Sequence, residues 1–291
     1  MMLGFEDSIK TITQIAQEAE QAGIHTVYTV DAGRSATITA AAVINATQRA
    51  RVGTYIVNAF AREPWMTGLE ARDLNEISSG RFVLGVGTGN LHFNQLYMGI
   101  DSLKAKAKMR DFMEIVRLVV RGRAAERVRY QGDVHRIRWR ATWDPTSPPP
   151  PVYMSASGPN MVRLAGEVSD GVGIGIMSSV AFVRDKVRPN AKAGAKAAGR
   201  DPNQLLFPTA ATVSINRDIA AAREASKRAI CKLYHPIPHP YYDSQLRQMG
   251  FEEFADQATE LVPAGSLQEA IDLVPEEVVD TMTITGDVEQ C

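Results

Sequence analysis

Ser79-Gly80-Arg81-Phe82-Val83-Leu84-Gly85-Val86-Gly87-Thr88-Gly89-Asn90 runs an apolar strand into a loop with glycine at alternate positions. Residues 81–86 read as a strand. Glycines at its C-terminal end let backbone approach a flat ligand or a phosphate closely. The bland alternative is a loop that needs positive φ, and the glycines alone do not separate the two. The spacing is G-x-G-x-G and the next helix is expected about a dozen residues on, so this is not the dinucleotide fingerprint.

Working outward, strands and helices alternate. A helix is expected over 7–22, capped by Asp7 or Ser8 and ended at Gly23. The β-branched run 24–30 reads as a strand, an alanine-rich helix starts near Thr37, 52–57 is the next strand, and Pro64 opens a helix ending near Gly80. Downstream, a helix over 102–121 places Met109, Phe112, Met113, Val116 and Val120 on one face. Strands follow at 152–154, 171–176 and 205–215, with helices entered at Pro159 and spanning 180–198 and 217–233. The rest reads as helical pieces broken at 236–240, Pro263 and Pro275. Repeats of roughly 30 residues mean βαβ units and a parallel sheet, a pattern shared by closed barrels and open sheets.

The chain has 291 residues, an ordinary length for one α/β barrel of roughly 250 residues or more. A single domain over 1–291 is expected, with an insertion at 122–151 and a helical insertion at 230–275. The first insertion contains a hairpin turning at Gly132-Asp133. Hydrophobic residues make up 45% and the net charge is −1, so no global field attracts nucleic acid or an anionic membrane. Cys231 and Cys291 are too few and too far apart for a disulfide framework. The N-terminus lacks a signal-peptide pattern, and no stretch approaches the roughly 20 apolar residues of a membrane span. A cytoplasmic protein is the expectation.

A second motif, Pro151-Val-Tyr-Met-Ser155-Ala-Ser157-Gly158-Pro159-Asn160, hands a strand to a helix whose first turn exposes free N–H groups. Small residues and two hydroxyls make this a sensible phosphate cradle. Capping by Ser157 with Pro159 at N1 explains the same residues and is compatible with it.

The run Leu74 to Gly89 resembles the signature around the fourth barrel strand of the luciferase-like oxidoreductases. Val152 to Gly171 resembles the fifth strand and helix of the same family. Ala19-Glu20-Gln-Ala-Gly23, Thr47 and Arg62-Glu-Pro64 fall in the expected order, so the resemblance covers nearly the whole chain. Within the family the chain is most similar to the methylenetetrahydromethanopterin reductase type, which uses the deazaflavin coenzyme F420. The resemblance implies an α/β TIM (β/α)8 barrel with the cofactor across its C-terminal mouth. The ring would rest on a bulge after the third strand, at Tyr55, Ile56, Val57 and Asn58, with Tyr55-Ile56 the candidate for a non-prolyl cis peptide. Gly87 and Gly89 would approach from the fourth strand. Ala156, Ser157 and Gly158 would meet the tail and phosphate, with Ile174 and Gly175 nearby.

Departures from the family pattern accompany it. Asp31-Ala32 stands where many relatives carry Asp-His. The acidic residue of the first strand falls near Met2, and the chain stops at Gly286-Asp-Val-Glu-Gln-Cys291. A barrel incomplete at its first and eighth strands is therefore expected.

Asp31, at a strand's C-terminal end, is a catalytic candidate by position and a turn residue otherwise. Asn58 could bond the ring's polar edge, and Asn90 and His92 after the glycine loop could reach substrate. The other reading of all three is ordinary loop chemistry. Glu63 before Pro64 could be a site acid or favour a helix start. His235 and His239 are separated by prolines that forbid one helix, so no metal is assigned. Arg127, Arg129, Arg136, Arg138 and Arg140, with Tyr130, Trp139 and Trp143, form either a solvated ribbon or a receiver for an anionic partner. That partner would be the cofactor's polyglutamate tail or nucleic acid.

The function expected is hydride transfer between coenzyme F420 and a small organic substrate. The alternatives are an FMN-dependent monooxygenase and a truncated barrel that only binds ligand. The expected partner is a small-molecule substrate, with no nucleic acid and no membrane; a homo-oligomer is left open.

Overall fold

All six residues of Phe82–Gly87 are buried, and parallel strands flank them on both sides. In the computed structural model, which describes residues 1–291, ten strands occur in chain order. They are β1 Thr26–Thr29, β2 Arg51–Thr54, β3 Val57–Asn58, β4 Phe82–Gly87, β5 Arg127–Gln131, β6 Arg136–Arg140, β7 Val152–Ser155, β8 Gly171–Gly173, β9 Thr212–Ile215 and β10 Thr283–Gly286. The main sheet is parallel in the order β1-β2-β4-β7-β8, with β3 also on β4. Met1 to Leu3 run parallel beside β1, with Met2 bridging Tyr28, the Tyr28 N–H donating to the Met1 carbonyl and the Leu3 N–H to the Tyr28 carbonyl, each at 2.8 Å.

By its internal contacts the chain forms two compact units. One comprises Met1–Gly173 and Asn190–Phe207, the other Ile174–Pro189 and Pro208–Cys291. In the first unit helices connect β1 to β2, β3 to β4, β4 to β7 and β7 to β8, so each crossover returns the chain to the same end of the sheet. The helix Ala105–Arg121 buries Met109, Phe112, Met113, Val116 and Val120, the face its spacing predicts. Each such side chain contributes about 2 kcal/mol of burial. The helix Pro64–Ile77 packs on it closely enough that a Cβ at Gly68 would come 2.7 Å from Val119. The expected hairpin is β5–β6, antiparallel, with Val128 and Ile137 buried against Ile115 and Val119.

In the second unit β9 and β10 pair in parallel, Thr212 opposite Thr283. The helices Ile219–Lys232, Pro240–Gln248, Glu252–Leu261, Leu267–Asp272 and Glu276–Met282 enclose a core that includes Ile230, Tyr234, Leu246, Phe254 and Val279.

Three sequence expectations are corrected. The strand expected over 205–215 is broken: Leu206 bridges Gly171, Thr209 bridges Ile174, and only 212–215 forms a longer ladder. Pro208 lacks the N–H that would continue the strand. Residues 283–286, expected within helical pieces, are β10; their Thr-Ile-Thr run is β-branched. A helix, Leu91–Met98, starts directly after the glycine loop, not a dozen residues later. Asn90 caps it and Gly99 ends it in the left-handed region, but Asn94 is its only buried residue, so it has no apolar face to read.

Candidate active site

The site is built around a bulge where β2 gives way to β3. Between the pairs Gly53–Val83 and Val57–Val86, the β2–β3 chain advances four residues and β4 three. One residue is therefore extra, and such bulges re-aim the chain at strand ends. Thr54 bridges the break: its Oγ1 donates to the Gly85 carbonyl at 2.8 Å and accepts from the Gly85 N–H at 2.9 Å. Position 85 has no room for a side chain, because a Cβ would run into the Thr54 carbonyl oxygen.

The Tyr55–Ile56 peptide is cis, at the bond the family resemblance singled out. The Tyr55 ring meets Tyr28 edge-on with centroids 5.6 Å apart, and its hydroxyl approaches Gly173 at the end of β8. Ile56 lies against Gly87, where a Cβ would come 3.0 Å from Ile56 Cγ1. The sheet order puts the C-terminal ends of β3, β4, β7 and β8 side by side along one edge.

Asp31 clamps this bulge from behind. Its Oδ1 accepts from the Ala36 N–H at 2.8 Å and from Arg62 Nη2 at 2.9 Å. Its Oδ2 accepts from the Asn58 N–H at 2.9 Å and from Arg62 Nε at 2.7 Å. The Asp31 N–H donates to the Ile56 carbonyl at 3.0 Å. Burial pushes the Asp31 carboxyl up, but the Arg62 guanidinium and the two backbone N–H groups outweigh it and hold it below the usual carboxylate range. Arg62 in turn donates to Glu70 at 2.9 Å. An ionised carboxylate with two donors on each oxygen is suited to positioning and not to proton transfer.

Asn58 is buried, and its amide is already engaged. Nδ2 donates to Asn94 Oδ1 at 2.8 Å, and Oδ1 accepts from the Phe60 N–H at 3.0 Å. Asn94 donates onward to the Thr88 carbonyl at 2.9 Å, so the two amides pin the glycine loop. Gly89 has φ +63 and leaves only 2.8 Å between an added Cβ and Asn58 Nδ2. Asn90 accepts from the Phe93 N–H as a helix cap. His92, expected on a loop, is exposed in the first turn of that helix. Glu63 is the exposed N-cap residue of Pro64–Ile77, without a side-chain cap bond.

Next along the edge, β7 leads through Ala156, whose N–H donates to the Gly173 carbonyl at 3.2 Å. The helix Pro159–Val168 is capped by Gly158, not Ser157, and no side chain bonds its first N–H groups. Ile174 and Gly175 belong to the second unit. There Ile174 donates to the Pro208 carbonyl at 2.9 Å, and Gly175 faces the Tyr241 ring.

Sequence reasoning placed the bulge, the glycine loop and the helix start at Pro159. It missed Arg62, Asn94 and Thr54 as site-builders. Their types are common everywhere, and only pairing partners 31, 36 and 31 residues away reveal them.

Parallel strands alternating with helices are the units of which α/β barrels are built, and barrel enzymes place their sites at the C-terminal strand ends. The chain belongs to the luciferase-like monooxygenase family, whose profile matches residues 2–291. It is 29% identical over 291 residues to the 5,10-methylenetetrahydromethanopterin reductase of Methanolobus tindarius, covering 98% of this chain and 85% of that one. It is 27% identical over 299 residues to a putative coenzyme F420-dependent oxidoreductase of Mycobacterium tuberculosis, covering 95% and 84%. The structure of the coenzyme F420 dependent tetrahydromethanopterin reductase from Methanopyrus kandleri matches with a TM-score of 0.84 at 25% identity, over 100% of this chain and 86% of that one. The luciferase-like fold and family membership expected from the sequence both stand. No helix is long and apolar enough to cross a membrane.

Proposed function

We propose that this chain is a coenzyme F420-dependent oxidoreductase that moves a hydride between the cofactor and a small organic substrate. The observation that carries the reading is the seat of Tyr55 to Asn58 against Gly87 and Gly89, with a donor-rich helix start two strands along. A relative and a solved structure named for the same cofactor align over nearly the whole chain.

The residues present fit such a group. Pro159 has no N–H, and the Val162 N–H is bonded to the Gly158 carbonyl, which leaves the Asn160 and Met161 N–H groups as the open donors of the first turn. The Ser155 and Ser157 hydroxyls are half-buried and bonded to nothing else in the chain. A Cβ at Gly158 would meet nothing within 4 Å. Two N–H groups, two hydroxyls and free space at a helix N-terminus suit a phosphate. Ile56 beside Gly87 offers an apolar surface to one face of a ring.

When bound, the deazaflavin gives or takes the hydride; the protein supplies orientation and electrostatics. Ala156, Ser157 and Gly158 hold the phosphate end, and Tyr55, Ile56, Val57, Gly87 and Gly89 seat the ring. Asp31 and Asn58 position the seat through the clamp and the amide pair. Asn90, at the cap of the helix Leu91–Met98, and the exposed His92 in its first turn are the substrate-contact candidates of this reading.

Fluorescence titration of the purified protein with F420 and, separately, with FMN tests this. Binding of F420 in the micromolar range, tighter than FMN, is expected. No F420 binding, or tighter FMN binding, would overturn it. The first substrate to assay is 5,10-methylenetetrahydromethanopterin, which names the Methanolobus relative.

A further inference from the structure

The β5–β6 ribbon carries five arginines on one face. Val128 and Ile137 point inward and are buried, whereas Arg127, Arg129, Arg136, Arg138 and Arg140 are all exposed. Register sets Arg127 directly opposite Arg140 and Arg129 directly opposite Arg138. Like charges in direct cross-strand register repel. None of the five makes an ion pair or side-chain hydrogen bond within the chain. Glu126 and Asp133 lie at the two ends of the ribbon and engage none of them. The result is a grid of unpaired guanidinium groups, roughly 7 Å apart along each strand and about 5 Å across.

The opposite charge is concentrated elsewhere in the same chain. Residues 251–291 contain eleven Asp and Glu and no Lys, Arg or His. The helix Glu252–Leu261 buries Phe254, Ala255 and Ala258 on one side and exposes Glu252, Glu253, Asp256 and Glu260. Asp256 pairs with Arg247, but Glu252, Glu253 and Glu260 have no cation partner. Glu253 and Glu260 are two turns apart on one face, about 10 Å, a spacing that arginines of the ribbon can match.

We propose that the arginine face of one copy docks on the acidic helix Glu252–Leu261 of a second copy. Arginine forks reading carboxylates bidentately would relieve the cross-strand repulsion and fix the register of the pair. Nucleic acid is disfavoured as the occupant, because the same chain carries the uncompensated acidic segment and a net charge of −1. This inference is independent of the cofactor reading.

Charge exchange tests it directly. Sedimentation velocity on the full chain should show an associated species at 50 mM NaCl that dissociates at 500 mM. R129E/R138E and E253K/E260K should each sediment as monomers at low salt. An equimolar mixture of the two should associate again, because each reversed surface then meets its complement. Circular dichroism checks that the variants are folded, and R129Q/R138Q replaces the reversal should it fail to fold. A wild type monomeric at low salt, an oligomer that both variants leave intact, or a mixture that stays monomeric would overturn the proposal. So would ribbon-dependent binding of a labelled single-stranded oligonucleotide by a protein that remains monomeric.

Discussion

The Asp31 carboxylate and the Arg62 guanidinium meet in a two-pronged pair, Nε to Oδ2 at 2.7 Å and Nη2 to Oδ1 at 2.9 Å, directly behind the bulge. The same carboxylate accepts the Asn58 N–H, and the Asp31 backbone holds the Ile56 carbonyl. Charge pairing and seat geometry are thereby one unit.

Asp31→Asn leaves the half-buried Arg62 with only Glu70 for charge and should cost about 3 kcal/mol. Urea unfolding at pH 7 measures this. The Asp31 carboxyl lies below the usual carboxylate range when folded. Its contribution is therefore complete above the ordinary carboxylate pKa and is lost as pH falls through the lowered value. The gap between wild type and D31N should be constant from pH 6 to 8 and narrow toward pH 3. A gap independent of pH would mean the carboxylate charge is not what stabilises the bulge.

Two glycines should behave oppositely. Gly85→Ala drives a Cβ into the Thr54 carbonyl and should destabilise by 3 kcal/mol or more, about the scale of severe overpacking. Gly158 has φ −73 and open space around it, so Gly158→Ala should fold with unchanged melting temperature. A methyl group at the helix start should nonetheless crowd the phosphate and weaken F420 binding about tenfold, roughly 1.4 kcal/mol. Unchanged affinity in G158A would remove the cradle from the site.

Asn94→Leu strands the Asn58 Nδ2 and the Thr88 carbonyl in a buried setting. Buried groups left without partners cost about 1–3 kcal/mol each. Stability should fall by about 2 kcal/mol in denaturant titration, and the ring should bind less tightly because the glycine loop loses its tether. A variant as stable as wild type would show that the amide pair does not hold the loop.

The two thiols should react unequally. Burial pushes the Cys231 thiol up to about 12, while Cys291 is exposed. At pH 8 Ellman's reagent should titrate one thiol per folded chain and a second only after unfolding. Rapid reaction of both in the native protein would contradict the packing around Cys231.

Much of the fold was legible because burial imposes periodicity on the chain. The helix Ala105–Arg121 showed its apolar face at helical spacing, and Phe82–Gly87 read as a strand from its apolar, β-branched residues. Leu91–Met98 was not legible, because it is held by a cap at Asn90 and a left-handed Gly99 and buries almost nothing. β10 was hidden because a four-residue strand follows a helix without a break.

The amino-acid order alone determined the parallel α/β class, the place of the glycine loop and of the helix start at Pro159, and the alternation that lines five arginines on one ribbon face. These depend on neighbours a few residues apart, which local pattern encodes. The tertiary structure decided that Asp31 is a clamped carboxylate, that Asn58 is spent on Asn94, and that position 85 admits no side chain. Each depends on a partner about 30 residues distant, and a hydrogen bond across such a separation leaves no period in the chain.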